Sequence, residues 1–438
     1  MESEPSWSTS WSQRRAAAYS DFIATSDVRD EIVGVIRDLM LRCHGYKPKG
    51  LALEVVASLR QSACLLREVG ETSRNAAVLF DLSQSMLLKR LFRISHKDEP
   101  CIEIANVLAR SAGLAVARDC PALCHHLFRS GTPTGDAHYR HDLSTLETAS
   151  AVYRRMWDAL MIEQRSFLID GYIMGHELAH FQISKSDPFL AQLLEGAGHA
   201  FEFALDQVCY QQRPDFEELA QGHGMSRLDR ASLERIRQDL VTRRRHYETN
   251  KLNLIEEIAC DAHGLMIAAL ATQVDWRGRT ADPGATIQGF MRLAQTYFFL
   301  FTLADLHQAM IKRARLSVEG SVEDDKSGHM ADMHLRKVAL MYSMAQVLPP
   351  FLPEPFHTRE MFLELLSSVS QVIRPQKQAL DVLITTPVTI IIKQHLVCFE
   401  ADRATTATFG ESPPWDDYDM AALFGGDLMK FSFRSAVS

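Results

Sequence analysis

Residues 167–183 read Phe-Leu-Ile-Asp-Gly-Tyr-Ile-Met-Gly-His176-Glu177-Leu178-Ala179-His180-Phe-Gln-Ile. Apolar Leu168, Ile169, Tyr172, Ile173, Leu178 and Phe181 recur three and four apart with no intervening proline, the period of a helix packed into a protein. On that helix His176 and His180 lie one turn apart on one face, so their ring nitrogens can meet at a single zinc ion at about 2.0–2.1 Å. Glu177 is one step round the helix, where a carboxylate reaches a zinc-activated water without ligating the metal, the position of a general base. Chance alone places such a pentapeptide in about 4% of chains of this composition, so the reading needs a third ligand.

A catalytic zinc takes three protein ligands and keeps a fourth position open. The next strongly apolar helical stretch opens with Glu256-Glu257-Ile258-Ala259-Cys260-Asp261-Ala262-His263-Gly264. Glu257 and Asp261 are four apart and share a face, while Ile258, Leu265 and Leu270 pack elsewhere. One carboxylate on the metal and a second holding a ligand histidine by its other nitrogen is the expected division of work. A solvated acidic helix start that complements the helix dipole is the alternative.

His176-Glu-Leu-Ala-His180 followed by Glu257-x-x-x-Asp261 resembles the gluzincin zinc metallopeptidases, in particular the CAAX-processing and HtpX-like group. The resemblance covers roughly residues 165–345. It implies that His176, His180 and Glu257 bind zinc, that Glu177 activates water and that Asp261 orients His176. It also implies an oxyanion-stabilising histidine. Ser327-Gly-His329-Met-Ala-Asp-Met-His334-Leu-Arg336 is similar to the family's turn but lacks its proline, and offers His329, with His334 second, for that role. An edge strand upstream should pair with an extended substrate, and Gly113–Ala117 is the candidate for it. Soluble peptidases of this type that act on one intracellular protein are also similar.

Around this centre the 438 residues are 46% hydrophobic and 23% charged, an ordinary globular composition that excludes a largely disordered or low-complexity chain. A net charge of −8 makes nucleic acid a poor partner. The eight cysteines are scattered without a Cys-x-x-Cys pair, and the polar start from Met1 to Gln13 has no secretory apolar core, which points to reduced thiols in the cytoplasm. The apolar runs Gly264–Val274, Tyr297–Leu303 and Val388–Ile392 fall short of the roughly 20 residues of a membrane span.

The expected fold is mainly α: a zincin-like core with an active-site helix, a small β element and additional helical regions. Helical periodicity runs through 27–43, 51–68, 72–92, 147–183, 232–246, 254–274 and 286–314, whereas strand-like patterning is confined to 113–117 and 388–392. Turn-rich stretches at 131–136, 317–328, 349–355 and 410–417 divide the chain. The partition is an N-terminal helical region (1–135), a metallopeptidase core (136–345) with a helical insertion (184–250), and a C-terminal appendage (346–438). The aromatic and acidic tail after Gly410 is placed to dock on the body or occlude the cleft.

Other features carry weaker claims. Cys120, Cys124, His125 and His126 form a thiol and imidazole group that is as easily a packed segment. Glu195 and His199 are a rival source of a third ligand. Arg227, Arg230, Arg235, Arg237 and Arg243–Arg245 read as a solvated helix face or as a guide for an acidic partner. The expectation is therefore a zinc-dependent endopeptidase acting on a protein or peptide substrate inside the cell, with no indication of oligomeric state. A helical regulatory protein with structural zinc and a metal-dependent hydrolase of a small non-peptide substrate are the alternatives.

Overall fold

The computed structural model describes residues 8–21, 50–59, 61–68, 75–95, 100–129, 143–158, 162–185, 188–209, 230–276, 283–319, 329–347 and 358–406, with 33, 34 and 37. Strands β1 (Leu51–Val56), β2 (Cys64–Arg67) and β3 (Ala76–Asp81) follow helix α1 (Ser10–Tyr19). The rest is helical: α2 (Leu82–Ile94), α3 (Pro100–Ala115), α4 (Pro121–Arg129), α5 (Leu143–Asp158), α6 (Ile162–Ile183), α7 (Pro188–Val208), α8 (Arg230–Thr249), α9 (Lys251–Trp276), α10 (Pro283–Glu319), α11 (His329–Val347), α12 (Arg359–Leu380) and α13 (Thr386–Thr406). The chain is mainly helical with one small sheet, the expected class.

The sheet corrects the sequence reading in detail. Helical periodicity over 51–68 and 72–92 gives way to three strands in the order β1-β3-β2, and only the second half of the latter segment, α2, is helical. β1 runs parallel to β3, with Leu51 opposite Ala76 and Val56 opposite Asp81, while β2 runs antiparallel to β3. Both β1 and β3 are buried at every position. A strand covered on both faces shows a continuous apolar run instead of alternation, so its period cannot be told from a helix. Conversely, Gly113–Ala117 belongs to the end of α3 and the turn beyond it, and Val388–Ile392 lies within α13. Helix packing overrides the β propensity of Val388 and Ile390–Ile392.

A web of buried polar groups fixes the loop between β1 and β2. Asp81 ends β3 and caps α2 through the Ser83 N–H. Its carboxylate also accepts from the Ser58 hydroxyl at 2.5 Å and from the Ser62 N–H at 3.0 Å. Gln61 sits in the left-handed region at φ 52°, a conformation that costs a non-glycine residue about 1 kcal/mol or more. Its side-chain amide donates to the Ser111 carbonyl on α3, and the Ser111 hydroxyl in turn lies 2.6 Å from His307 Nε2 on α10. Among the described residues no cation offsets the charge on Asp81, and burial pushes its carboxyl up to about 6 against those hydrogen bonds.

The sheet, α2 to α6 and α10 to α13 share one hydrophobic cluster. A second cluster joins α7, α8, α9 and α11 through Phe201, Leu205, Tyr247, Ile258 and Leu335; Leu265 and Ala268 of α9 belong to the first, so α9 is packed on both sides. Lys89 and Ser85 of α2 both bind Asp170 at 2.6 Å, anchoring α6 beneath the sheet.

One stretch departs from the expectation that no apolar run is long enough to span a membrane. Residues Arg374–Phe399 are continuously helical, through a π-helical turn at Asp381–Thr385, and have the length and mean hydropathy of a span. Reading apolar runs by sequence missed it because Gln376, Lys377, Gln378, Asp381 and the prolines at 375 and 387 interrupt the run without breaking the helix. Its Ala379, Leu380, Ile384, Val388, Ile391 and Phe399 are buried in the main cluster, so no clear membrane span is present among the described residues. The segments at 131–136 and 349–355, the tail beyond 410 and most of 27–43 lie outside the described residues.

Candidate metal centre

Helix α6 crosses α9 at two glycines. A Cβ on Gly175 would meet Gly264 Cα at 2.8 Å, and one on Gly264 would meet the Tyr172 carbonyl oxygen at 2.8 Å. Only hydrogen at both positions lets the two backbones come this close. The buried His263 ring donates through Nδ1 to the Gly175 carbonyl at 2.7 Å and locks the crossing. The two helices thus bring one face of α6, carrying His176, Glu177 and His180, onto one face of α9, carrying Glu256, Glu257 and Asp261.

His176 Nε2 lies 3.5 Å from Glu257 Oε2, and His180 Nε2 lies 3.5 Å from Glu257 Oε1. Two atoms each about 2.1 Å from one tetrahedral ion are about 3.4 Å apart, so these separations are those of donors sharing a cation. One ligand atom from each of the three residues falls within 4.8 Å of the others. The opposite ring nitrogens are already engaged. His176 Nδ1 is 3.0 Å from Asp261 Oδ1, and His180 Nδ1 is 2.8 Å from Glu256 Oε1. Those carboxylates accept from Nδ1 and turn each Nε2 inward, the orientation a metal ligand needs. Two imidazoles and a carboxylate suit zinc or another first-row divalent ion. The residues fit such an ion.

Arg336 of α11 completes the wall. Its guanidinium donates to Asp261 through Nε at 2.8 Å and Nη2 at 2.7 Å, and through Nη1 to Glu257 at 2.9 Å. Burial penalises the charge on Asp261, yet Arg336 and His176 outweigh it and hold its carboxyl well below the usual range. Glu257, likewise disfavoured by burial, is brought down to about 2 by His176 and Arg336. Burial also opposes the charge on His176, but Asp261 and Glu257 raise its imidazole to about 10. The Tyr172 hydroxyl donates to Asp261 as well.

Glu177 differs from these. Burial raises its carboxyl, with His176 and His180 opposing, and the Leu65 backbone N–H on β2 bonds it. Among the described residues β2 has a strand neighbour on one side only. Glu177 therefore stands beside the strand β2, whose Arg67 donates to the His180 carbonyl at 3.3 Å. Strand and centre share a cleft of about 770 Å³.

The structure brings together five of the six residues singled out by sequence: His176, Glu177, His180, Glu257 and Asp261. The sixth, His329, opens α11, and its side chain lies outside the described residues. His334, on the same helix, is exposed. Glu195 and His199 are exposed on α7, apart from the three-residue group. Cys124 is buried in the main cluster, and His126 donates to the His395 carbonyl at 3.1 Å. The basic stretch lies partly on α8, where Arg243 and Arg245 are exposed and Arg244 pairs with Glu248.

Sequence reasoning missed five contributors. Glu256 stood beside a nominated ligand. Gly175 and Gly264 were signalled by their place in otherwise apolar helical runs. In the sequence Arg336 stands out only as part of the His329 segment. β2 had no legible pattern. No protein-family model, curated protein or solved structure matches this chain.

Proposed function

We propose that this protein is a zinc-dependent endopeptidase of gluzincin type, acting on a protein or peptide substrate in the cytoplasm. One observation carries the reading: a two-histidine, one-carboxylate donor set lies in the same cleft as a carboxylate hydrogen-bonded to the backbone of a strand that, among the described residues, is paired on one side only. His176, His180 and Glu257 would hold the ion. When bound there, zinc supplies Lewis acidity that polarises a carbonyl and makes a neighbouring water more acidic.

The remaining work falls to the chain itself. Glu177, its carboxyl raised by burial, takes a proton from the attacking water and delivers it to the leaving amine, atoms and charge balancing over the two transfers. Backbone groups of β2 pair with an extended peptide and align its scissile carbonyl with Glu177. Arg336 lines the cleft and, held by Asp261, presents a fixed positive charge where negative charge develops on the carbonyl oxygen. His329 is proposed for the same oxyanion.

Three protein donors among the described residues favour catalysis over a closed structural site, which takes four. A strand at the cleft favours a peptide over a small enclosed substrate. Glu177→Gln should keep stoichiometric zinc and lower peptide cleavage by a factor of about a hundred or more, whereas His180→Ala should lose both. Normal turnover by Glu177→Gln would refute the proposal.

A further inference from the structure

Strand β2 sorts its side chains by parity. Ala63 and Leu65 pack into the main cluster on the α6 side, whereas Cys64 and Leu66 pack with α1 on the other face of the sheet. Arg67, next in the odd series, turns toward α6, and its Nη2 donates to the His180 carbonyl at 3.3 Å. Its guanidinium is exposed and lines the cleft beside the donor set.

The cleft's other arginine differs from it. Arg336 is held by Asp261 and Glu257. Among the described residues no carboxylate pairs with Arg67, and its bond to the His180 carbonyl engages one of five N–H groups. Two carboxylates of the same neighbourhood bond elsewhere: Glu256 accepts from His180 Nδ1 at 2.8 Å, and Glu68 accepts from the Asn75 side chain at 2.9 Å. A guanidinium stays charged at every working pH and presents a planar fork that fits a carboxylate through two parallel bonds. Anchored on a backbone carbonyl, this fork is already positioned for such a group.

Resting on the peptidase reading, we infer that Arg67 is a specificity-determining residue that pairs with a carboxylate of the substrate two residues from the bond that is cut. Strand register sets the distance. Glu177, which addresses the cut bond, is bonded by the Leu65 backbone, and Arg67 stands two positions along the same face, about 6.8 Å further. A peptide extended along β2 advances by the same step, so its second residue from the cut bond faces the guanidinium. A glutamate or aspartate side chain there, and the free carboxyl end of a peptide that finishes there, offer the same group.

The test uses the zinc-loaded full chain and peptide hydroxamates, which are not cleaved, built out from the hydroxamate in either chain direction. Each carries Glu, Gln or Lys at the second residue with its end amidated, or Ala there with the end free or amidated. Calorimetry at low salt should show Glu about fivefold tighter than Gln in one direction, with Lys weakest, and the preference should shrink in about 1 M NaCl. Tighter binding of the free end than of the Glu side chain identifies a chain terminus as the source of the carboxylate, with Arg67 still its partner. Arg67→Gln should abolish the preference, Arg67→Lys should retain part of it, and Arg67→Glu should place Lys first. A loosened strand would weaken every compound alike and would not exchange that order. Equal binding of the Glu, Gln and free-end compounds by the wild-type chain, or a carboxylate preference that survives Arg67→Gln, overturns the assignment. Where the variants fail to fold, the wild-type ranking and its salt dependence still decide. Failure to cleave the matching glutamyl peptides while the ranking holds overturns the peptidase reading instead, so the two failures are told apart.

Discussion

The crossing of α6 and α9 gives a substitution whose sign separates two physical effects. Gly175 lies inside a helix, where alanine is ordinarily the better residue by about 1 kcal/mol. Contact geometry predicts the opposite. A new Cβ at 2.8 Å from Gly264 Cα and from Ile267 Cβ must move out to the 3.4 Å of ordinary contact, a parting of about 0.6 Å. One obstacle is backbone, which cannot rotate aside as a flexible side chain does. Overpacking of this kind costs about 1–3 kcal/mol. The same displacement would stretch the His176–Asp261 bond from 3.0 Å past hydrogen-bonding range and carry the donors beyond the roughly 0.2 Å tolerance of a metal site. Gly175→Ala should therefore lower the urea midpoint and weaken zinc affinity at least tenfold, measured by competition with a chelator. Gly198 on α7 is the control: a Cβ there meets nothing within 4 Å, so Gly198→Ala should stabilise by up to about 1 kcal/mol and leave zinc binding alone. A Gly175→Ala protein as stable as wild type with unchanged zinc affinity would refute the argument that this contact sets the centre.

Glu256→Ala frees the His180 ring to rotate and should weaken zinc binding about 10- to 100-fold, read by the same chelator competition. Because His176 is held protonated up to about 10 without an ion and must be neutral to ligate, zinc binding between pH 7 and 9 should release about one proton from it; calorimetry in buffers of different ionisation enthalpy measures the number. Asp81 titrates near 6 when folded and near 3.8 when unfolded, so the folded state binds the extra proton and stability falls as pH rises through that window. The full effect is about 3 kcal/mol. Relative to Asp81→Asn, wild type should lose roughly 2 kcal/mol of it between pH 4.5 and 7.5 in urea denaturation.

The centre was legible in the sequence because a helix converts spacing into geometry: residues four apart must share a face, so His176 with His180 and Glu257 with Asp261 are local facts. That the two pairs meet is not local. It depends on Gly175 opposing Gly264 and on Arg336, seventy-five positions beyond Asp261 in the chain, and no spacing rule reports such a contact. The sheet was hidden for another reason. Leu51–Val56 and Ala76–Asp81 are buried on both faces, which erases the alternation by which a strand is recognised. Glu54 within β1 added to the disguise; it is buried and accepts from the Ser12 hydroxyl at 2.7 Å. Val388–Ile392 failed in the opposite sense, its β-branched side chains accommodated in a helix packed against α3 and α10.

Arg336 also bears on when the centre can first exist during synthesis. Until α11 has left the ribosome, Glu257 and Asp261 face the His176 imidazole without the guanidinium that bonds both of them in the finished fold. The last of these three helices to arrive supplies the cation that ties the carboxylates of α9 together. A nascent chain halted before residue 336 would carry both motifs in full and still lack a working pair of jaws.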